Sequence, residues 1–399
     1  MPIAIFALAA VNFAVGTQGF VFAGLLPDLA ADLGVSIGQA GLLVAASTIT
    51  FAIGAPFAAR LVSGIERRSV IVAALLVLSA ANAMCALAPS FETLALLRIL
   101  GGVATAFIGA LATVAAAALV PAAKRGRAFA FVMGGLTVAF VLGVPLGSAI
   151  GGVYGWRATF VFAALVSLSS LVLITLTVPV IKPAGGRYPR LVEVLSNVEI
   201  VHVLGLTLLA FTATFTVVAF LGPIITATTG ATGAGVGVFQ AFIGLGSIAG
   251  LAAGGVLADR HASKLATSAA FAVMAVSLCV YWVVISAPQH SVPAVAMAAL
   301  IFVGAAALFL LIPINLARLA TTAGAAAPIA LALNGSLVSL GQGVGAIWGG
   351  FLTDHVGAAA MGFGGATIAA IGLVLSFRSI SAAGEIRPSG SVSVSPGSE

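Results

Sequence analysis

Gly143-Val-Pro-Leu-Gly147-Ser-Ala-Ile-Gly151-Gly152 lies inside an apolar segment of more than twenty residues. Three of its glycines fall at i, i+4 and i+8, a spacing that aligns them on one face of an α-helix. A face without side chains lets a neighbouring helix approach closely, which is how helices associate in lipid. Pro145 removes a backbone donor from the same turns and predicts a bend. The pattern returns as Gly341-Gln-Gly-Val-Gly345-Ala-Ile-Trp-Gly349-Gly350, an offset of 198 residues (341 − 143). A close-packing device repeated half a chain later predicts two related halves.

Working outward, the segments between these runs have the same character. Of 399 residues, 61% are hydrophobic and 7% are charged, against roughly 25% charged in a soluble domain. Mean hydropathy is +1.25. A soluble chain so composed has too few polar groups to cover its core, so the solvent is a bilayer. Twelve stretches reach the ~20 apolar residues needed to span it: 3–26, 38–62, 69–88, 93–120, 128–153, 158–181, 200–224, 234–258, 265–286, 293–317, 327–352 and 358–377. No ten-residue strands of period two appear, which argues against a barrel. The first stretch lacks the basic start and cleavage site of a secretory signal and reads as a retained helix. Cys85 and Cys279 are far apart and imply neither disulfide nor metal site.

The basic residues set orientation. With the N-terminus in the cytoplasm, the loops on that side and the tail hold 14 of the 16 Lys and Arg residues. The opposite face keeps only Arg157, and Arg98 lies within a helix. By the positive-inside rule both termini are cytoplasmic. The net charge of +6 thus belongs to the membrane surface and implies no nucleic acid. The expected organisation is a six-helix bundle over 1–181, a cytoplasmic linker over 182–198, a second bundle over 199–380 and a disordered tail over 381–399. Further anchors of the repeat are Gly54–Arg60 with Gly254–Arg260, and Pro27 with Pro223. Each proline reads as closing its helix.

Several stretches together resemble the major facilitator superfamily. Within it, the chain is similar to the twelve-helix drug:proton antiporter group, near sugar-efflux, arabinose-efflux and chloramphenicol-resistance permeases. The matching residues are Gly24-Leu-Leu-Pro27, Arg98-x-x-x-Gly102, the Gly143–Gly152 run with Gly155-Trp-Arg-Ala-Thr-Phe160, Gly255-Val-Leu-Ala-Asp259-Arg260, and Asn334 through Gly350. The resemblance implies an all-α fold of twelve transmembrane helices in two pseudo-symmetric bundles. It also implies alternating access around a central cavity and export of a small amphipathic or sugar-like solute against protons. Two positions depart from the pattern. Gly19, beside Gln18, stands where similar exporters carry an acid, and Ala59 stands where the superfamily's helix 2–3 loop carries an Asp.

The resemblance places helices 1, 4, 7 and 10 around the cavity. Asn12, Thr17, Gln18, Thr105, Thr212, Thr214 and Thr216 are then candidate substrate contacts, with Asn334 and Gln342 on helix 11. For each Thr the competing reading is a hydroxyl returned to its own helix backbone. Arg98 is a candidate coupling or polar-network residue facing the cavity, against an arginine that reaches the outer interface near Glu92. Asp259 and Arg260, with Arg60 as the first-half copy, are candidate gate residues. Gly143, Pro145, Gly147, Gly151, Gly152, Gly341, Gly345, Gly349 and Gly350 are packing residues, expected to let helices 5 and 8 cross closely. Glu199 and His202 read as a solvated interface pair or, in the alternative, a proton relay. Trp348, Trp282 and Tyr281 read as interface anchors or packing groups.

No nucleophile set, phosphate loop or metal-ligand spacing occurs, so no enzyme activity and no cofactor is expected. The implied partners are a small solute, protons and lipid, with the protein acting as a monomer. The alternatives are an uncoupled facilitator, motivated by Gly19, and a sensor or scaffold that moves nothing.

Overall fold

The structure is a computed structural model and describes residues 2–62, 64–121, 124–181, 194–259 and 263–377. The expected tail 381–399 and most of the linker lie outside the described residues. Among the described residues there are helices and no strands. Twelve are long and apolar enough to cross a bilayer. In chain order they are α1 Ile3–Leu33, α2 Ile37–Leu61, α3 Arg67–Ala86, α4 Phe91–Ala118, α5 Arg125–Tyr154 and α6 Trp156–Thr177. The second half holds α7 Val198–Val218, α8 Ala234–Asp259, α9 Ser263–Ser286, α10 Ala294–Ala323, α11 Ala327–His355 and α12 Ala360–Phe377.

The glycine runs explain why two bundles form and how they meet. A Cβ on Gly143, Gly147 or Gly151 would collide with Thr17, Val21 or Leu25 of α1. Those partners are themselves at i, i+4 and i+8, so α5 lies along α1 inside the first half. Gly341, Gly345 and Gly349 seat α11 on Leu208, Thr212, Phe215 and Thr216 of α7 in the same way. The extra glycine of each run faces the other half: Gly152 meets Gly233 at the start of α8, and Gly350 meets Gly38 at the start of α2. The arrangement α5–α1–α8 therefore recurs as α11–α7–α2. Helices 5 and 8 do cross closely, through Gly152 at Gly233, the Pro145 carbonyl at Gly237 and Ser148 at Gln240, while Gly143, Gly147 and Gly151 serve the α1 contact instead.

The prolines act differently from their sequence reading. Pro27 does not close helix 1. After a break and a 3-10 turn at Ala23–Leu25, Pro27 lies in the first turn of a helical segment Leu26–Leu33. That position suits proline because its missing N–H would have no helical acceptor there. The segment ends at Gly34, whose φ of 67° needs no Cβ. Pro223 sits likewise near the start of Leu221–Thr229, which ends at Gly230 with φ 78°. Pro145 leaves the carbonyl one turn earlier without a donor, and α5 widens to a π-helical turn over Ala139–Gly143. Pro313 lies inside α10, which runs on to Ala323.

At the face that bears the N-terminus, Glu66 caps α3. Its carboxylate accepts from Arg68 N–H (2.9 Å), Ser69 N–H (2.7 Å), Ser69 Oγ (2.6 Å) and Ile181 N–H (2.8 Å), tying the start of α3 to the end of the sixth helix's trailing strand of chain. Burial opposes the charge, but these donors prevail and hold the carboxyl down at about 2. Cys85 and Cys279 are free thiols, one buried and one exposed.

Candidate functional site: a sealed interface and a phenyl circuit

The two halves meet on the face opposite the termini. There α2 packs along α11, and α5 crosses α8. Ser36 Oγ donates to Asp354 Oδ2 (2.6 Å) and Gly38 N–H donates to Asp354 Oδ1 (3.2 Å). A carboxylate from the end of α11 thus caps the start of α2 across the interface. Helix N-termini expose unpaired N–H groups and favour negative charge. A carboxylate at its own helix C-terminus is disfavoured for the same reason, so Asp354 gains only when the halves are together on this side. Ser148 Oγ donates to Gln240 Oε1 (2.6 Å) between α5 and α8, buried beside Gly24. Arg157 pairs with Asp32, and Trp156 Nε1 donates to the same oxygen at 3.1 Å, fixing the end of α1 to the start of α6.

Beneath this seal, five phenyl rings close a circuit. Ring centroids lie 5.6 Å apart for Phe20–Phe140, 6.0 Å for Phe140–Phe309, 6.5 Å for Phe309–Phe211, 6.2 Å for Phe211–Phe215 and 5.4 Å for Phe215–Phe20. These rings come from α1, α5, α7 and α10; Phe20, Phe140 and Phe309 stand near the middle of their spans, and Phe211 and Phe215 in the second half of theirs. Two are placed by backbone irregularities: Phe20 precedes the break in α1, and Phe140 lies in the π-helical turn. α4 packs on α1, α2, α3 and α5, and α10 on α7, α8, α9 and α11, each within its own half. The space at the phenyl circuit lies between the halves, since Phe20 and Phe140 come from the first and Phe211, Phe215 and Phe309 from the second.

Arg98 does not face this space. Its side chain is only 1% exposed and points between α1 and α2. Nη1 donates to the Gln18 carbonyl and to Gln18 Oε1, both at 2.8 Å. Nη2 donates to the Gly19 carbonyl (3.0 Å) and Ser47 Oγ (2.8 Å), and the guanidinium lies 4.8 Å from the Phe22 ring centre. The Arg98-x-x-x-Gly102 spacing has a local cause. A Cβ on Gly102 would lie 2.6 Å from the Ser47 carbonyl, so the glycine brings α4 onto α2 and Arg98 within reach of Ser47. A charged residue at membrane depth costs ~3 kcal/mol or more. Several charge-assisted bonds of ~1.5–3 kcal/mol each offset it without any carboxylate. The arginine is thus the centre of a buried polar network and does not extend to Glu92.

The other expected residues divide. Thr105 donates to the Gly102 carbonyl at 2.9 Å and Thr216 to the Thr212 carbonyl at 2.9 Å, the self-satisfied alternative. Thr214 donates to Met274 Sδ at 3.6 Å, and Thr212 is buried. Asn12 Nδ2 and Thr17 Oγ1 are buried with no partner, Thr17 being wedged against Gly143. Asn334 belongs to a cluster that the sequence reading missed: Asn315 Nδ2 donates to Thr207 Oγ1 (3.0 Å), which donates to Asn334 Oδ1 (2.8 Å). Asn315 Oδ1 and Ser336 Oγ remain unpaired. Gln342 is half-buried. Glu199 pairs with Arg318 at 4.0 Å near the start of α7, beside half-buried His202. Of the gate residues, Arg260 lies outside the described residues, as do the side chains of Arg60 and Asp259. No group able to hold a metal ion occurs among the described residues.

Two six-helix bundles, joined at one face by hydrogen bonds and sharing a circuit of phenyl rings, have the architecture of a membrane carrier. A family model described as the Major Facilitator Superfamily matches residues 8–198. The chain is 31% identical over 377 residues to the inner membrane transport protein YdhP of Escherichia coli K12, covering 94% of this chain and 95% of that one. It is 38% identical over 270 residues to a chloramphenicol resistance protein of Streptomyces lividans, covering 66% and 69%. Among solved structures, a D-xylose-proton symporter superposes with TM-score 0.76 at 17% identity, over 94% of this chain and 97% of that one. A bacterial homologue of the human lysosomal transporter Spinster, in an inward-facing and occupied conformation, superposes with TM-score 0.75 at 15% identity, over 94% and 95%. The chain belongs to the major facilitator superfamily. It is a multi-pass membrane transporter, and its work is translocation rather than catalysis.

Proposed function

We propose that the protein exports a small uncharged solute across the cell membrane by alternating access, in exchange for protons. The observation that carries this reading is the likeness to a chloramphenicol resistance protein, joined to a circuit of phenyl rings shared by the two halves and to uncharged polar groups at membrane depth. Such a lining suits a neutral amphipathic solute better than a multivalent anion, which calls for cavity arginines. With both termini cytoplasmic, as the basic loops favour, the sealed face is the outer one and solute enters from the cytoplasm. The Asp354 cap and the Ser148–Gln240 bond then form the outer gate, and Arg60, Asp259 and Arg260 belong to the inner gate. The bundles 1–181 and 199–380 rock about the mid-membrane site as a monomer.

A second reading, an uncoupled facilitator, is favoured by one observation. Arg98 is satisfied wholly by neutral acceptors, and Gly19 supplies only its carbonyl. The test is uptake into inside-out vesicles across a panel of uncharged aromatic compounds and sugars, with and without a protonophore. Accumulation that collapses with the protonophore supports coupled export. Equilibration that ignores it replaces the first reading with the second, and no uptake overturns both.

A further inference from the structure

Behind the phenyl circuit, on the second-half side, lies a cavity of about 40 Å³ bounded by Phe140, Phe215 and Phe309. Its far wall carries Thr214, Ser277 and Tyr281. Ser277 and Tyr281 are i and i+4 on α9, so both present to the same chamber. Each is only 5% exposed, and neither side chain makes a hydrogen bond to another described residue. An unpaired hydroxyl in apolar surroundings is costly, of the order of 1–3 kcal/mol. Two of them facing one chamber mark a place where hydrogen-bond acceptors are received. Tyr281 is thus no interface anchor. No charged side chain lines the chamber.

We infer that the phenyl circuit and this chamber form one binding site for an uncharged solute that carries a flat aromatic ring with a small hydrogen-bond-accepting substituent. The inference rests on the transport reading and adds the solute class. The chamber holds only a few water-sized groups, so it takes the substituent and not the ring. The ring lies against Phe20, Phe140 and Phe309, the three members of the circuit that keep the most exposure. Offset or edge-on contact between aromatic rings favours a flat ring over an aliphatic one. The Tyr281 Oη–H and Ser277 Oγ–H groups then donate to the substituent. Because the circuit joins α1 and α5 to α7 and α10, an occupant of this site touches both halves and is placed to bias their closure.

The test is equilibrium binding to the full chain in lipid nanodiscs, with empty nanodiscs subtracted. The probes are acetophenone, methyl cyclohexyl ketone and methyl glucoside. Acetophenone is expected to bind saturably and about tenfold more tightly than its cyclohexyl counterpart, with methyl glucoside weaker still. Tyr281→Phe and Ser277→Ala each remove one hydroxyl with little change of shape. Each is expected to weaken acetophenone several-fold, up to about tenfold. Phe309→Leu is expected to erase the preference for the flat ring. Equal affinity in wild type, Tyr281→Phe and Ser277→Ala, or no preference between the two ketones, would overturn the inference. Vesicle flux separates the two claims. Transport of acetophenone left unchanged by Tyr281→Phe would remove this site and leave export standing. Binding that responds as stated, without flux in any vesicle, would remove export and leave the site standing.

Discussion

The two halves differ at membrane depth in the charge they bury. In the first half, Arg98 is closed around with acceptors from α1 and α2, and its charge is spent inside the bundle. Neutral groups are left unpaired in both halves: Asn12 Nδ2, Thr17 Oγ1 and Asn82 Nδ2 in the first, Asn315 Oδ1 and Ser336 Oγ in the second, where Ser277 and Tyr281 also face a chamber. The buried cation with its ring of acceptors, and not the presence of unpaired groups, sets the first half apart. The glycine geometry is nevertheless common to both halves.

Breaking the first half's network should have the largest effect. Arg98→Ala strands Gln18, Ser47 and two carbonyls, and an expected loss of about 3 kcal/mol or more in stability follows. Arg98→Lys should recover little, because one ammonium cannot span acceptors on two helices. Thermal unfolding in detergent reads both. A normal midpoint in Arg98→Ala would show that the arginine is not part of the frame and would return it to candidacy for coupling.

Next in size is the glycine geometry. Gly345→Ala meets backbone, the Thr212 carbonyl at 2.6 Å, whereas Gly147→Ala meets the side chain of Val21. Overpacking of this kind costs ~1–3 kcal/mol. The second-half substitution should therefore be the worse of the two, since Val21 has rotamers to try and a carbonyl has none. Equal melting shifts for the two variants would contradict that ranking. Asp354→Asn is smaller, with about 1 kcal/mol expected by analogy with lost helix caps. It should speed labelling of a Ser148→Cys variant by an impermeant maleimide from the sealed face, while unfolding changes little. Unaltered labelling would remove Asp354 from the gate.

Smallest of all is the pH response of the Glu66 cap. Its folded pKa, about 2, lies below the ordinary carboxylate value, so its stabilisation is complete above roughly pH 4.5 and is lost only as pH falls through the folded value. Hydrogen exchange at the start of α3 should therefore show no cap-dependent change between pH 5 and 8. A cap that loosened in that interval would mean that the donors to Glu66 are not all in place.

Much of this was legible in the sequence. Glycine spacing, hydropathy and the offset of 198 residues carried the twelve helices and their duplication, because a missing side chain leaves the same mark in sequence and in packing. The sequence was less informative wherever the decisive partner came from a distant helix. Asp354 bears a clue, a carboxylate at the wrong end of its helix dipole, but its partner is 316 residues away. The phenyl circuit was invisible, because in a chain with 24 phenylalanines a cavity phenyl and a lipid-facing phenyl look alike. Proline was misread at Pro27 because a stop and a restart share the same residue. Arg98 was recognised as exceptional, but its direction depended on Gly102 pulling α4 onto α2.

The measurement that bears most directly on alternating access is the distance across the seal between spin labels at Val35 and Val356, in lipid, with and without a transported solute and a proton gradient. Two distance populations are expected, the short one matching the capped state seen here and the long one growing when the gradient is applied. A single short distance under every condition, in a protein that still transports, would contradict the claim that this face opens.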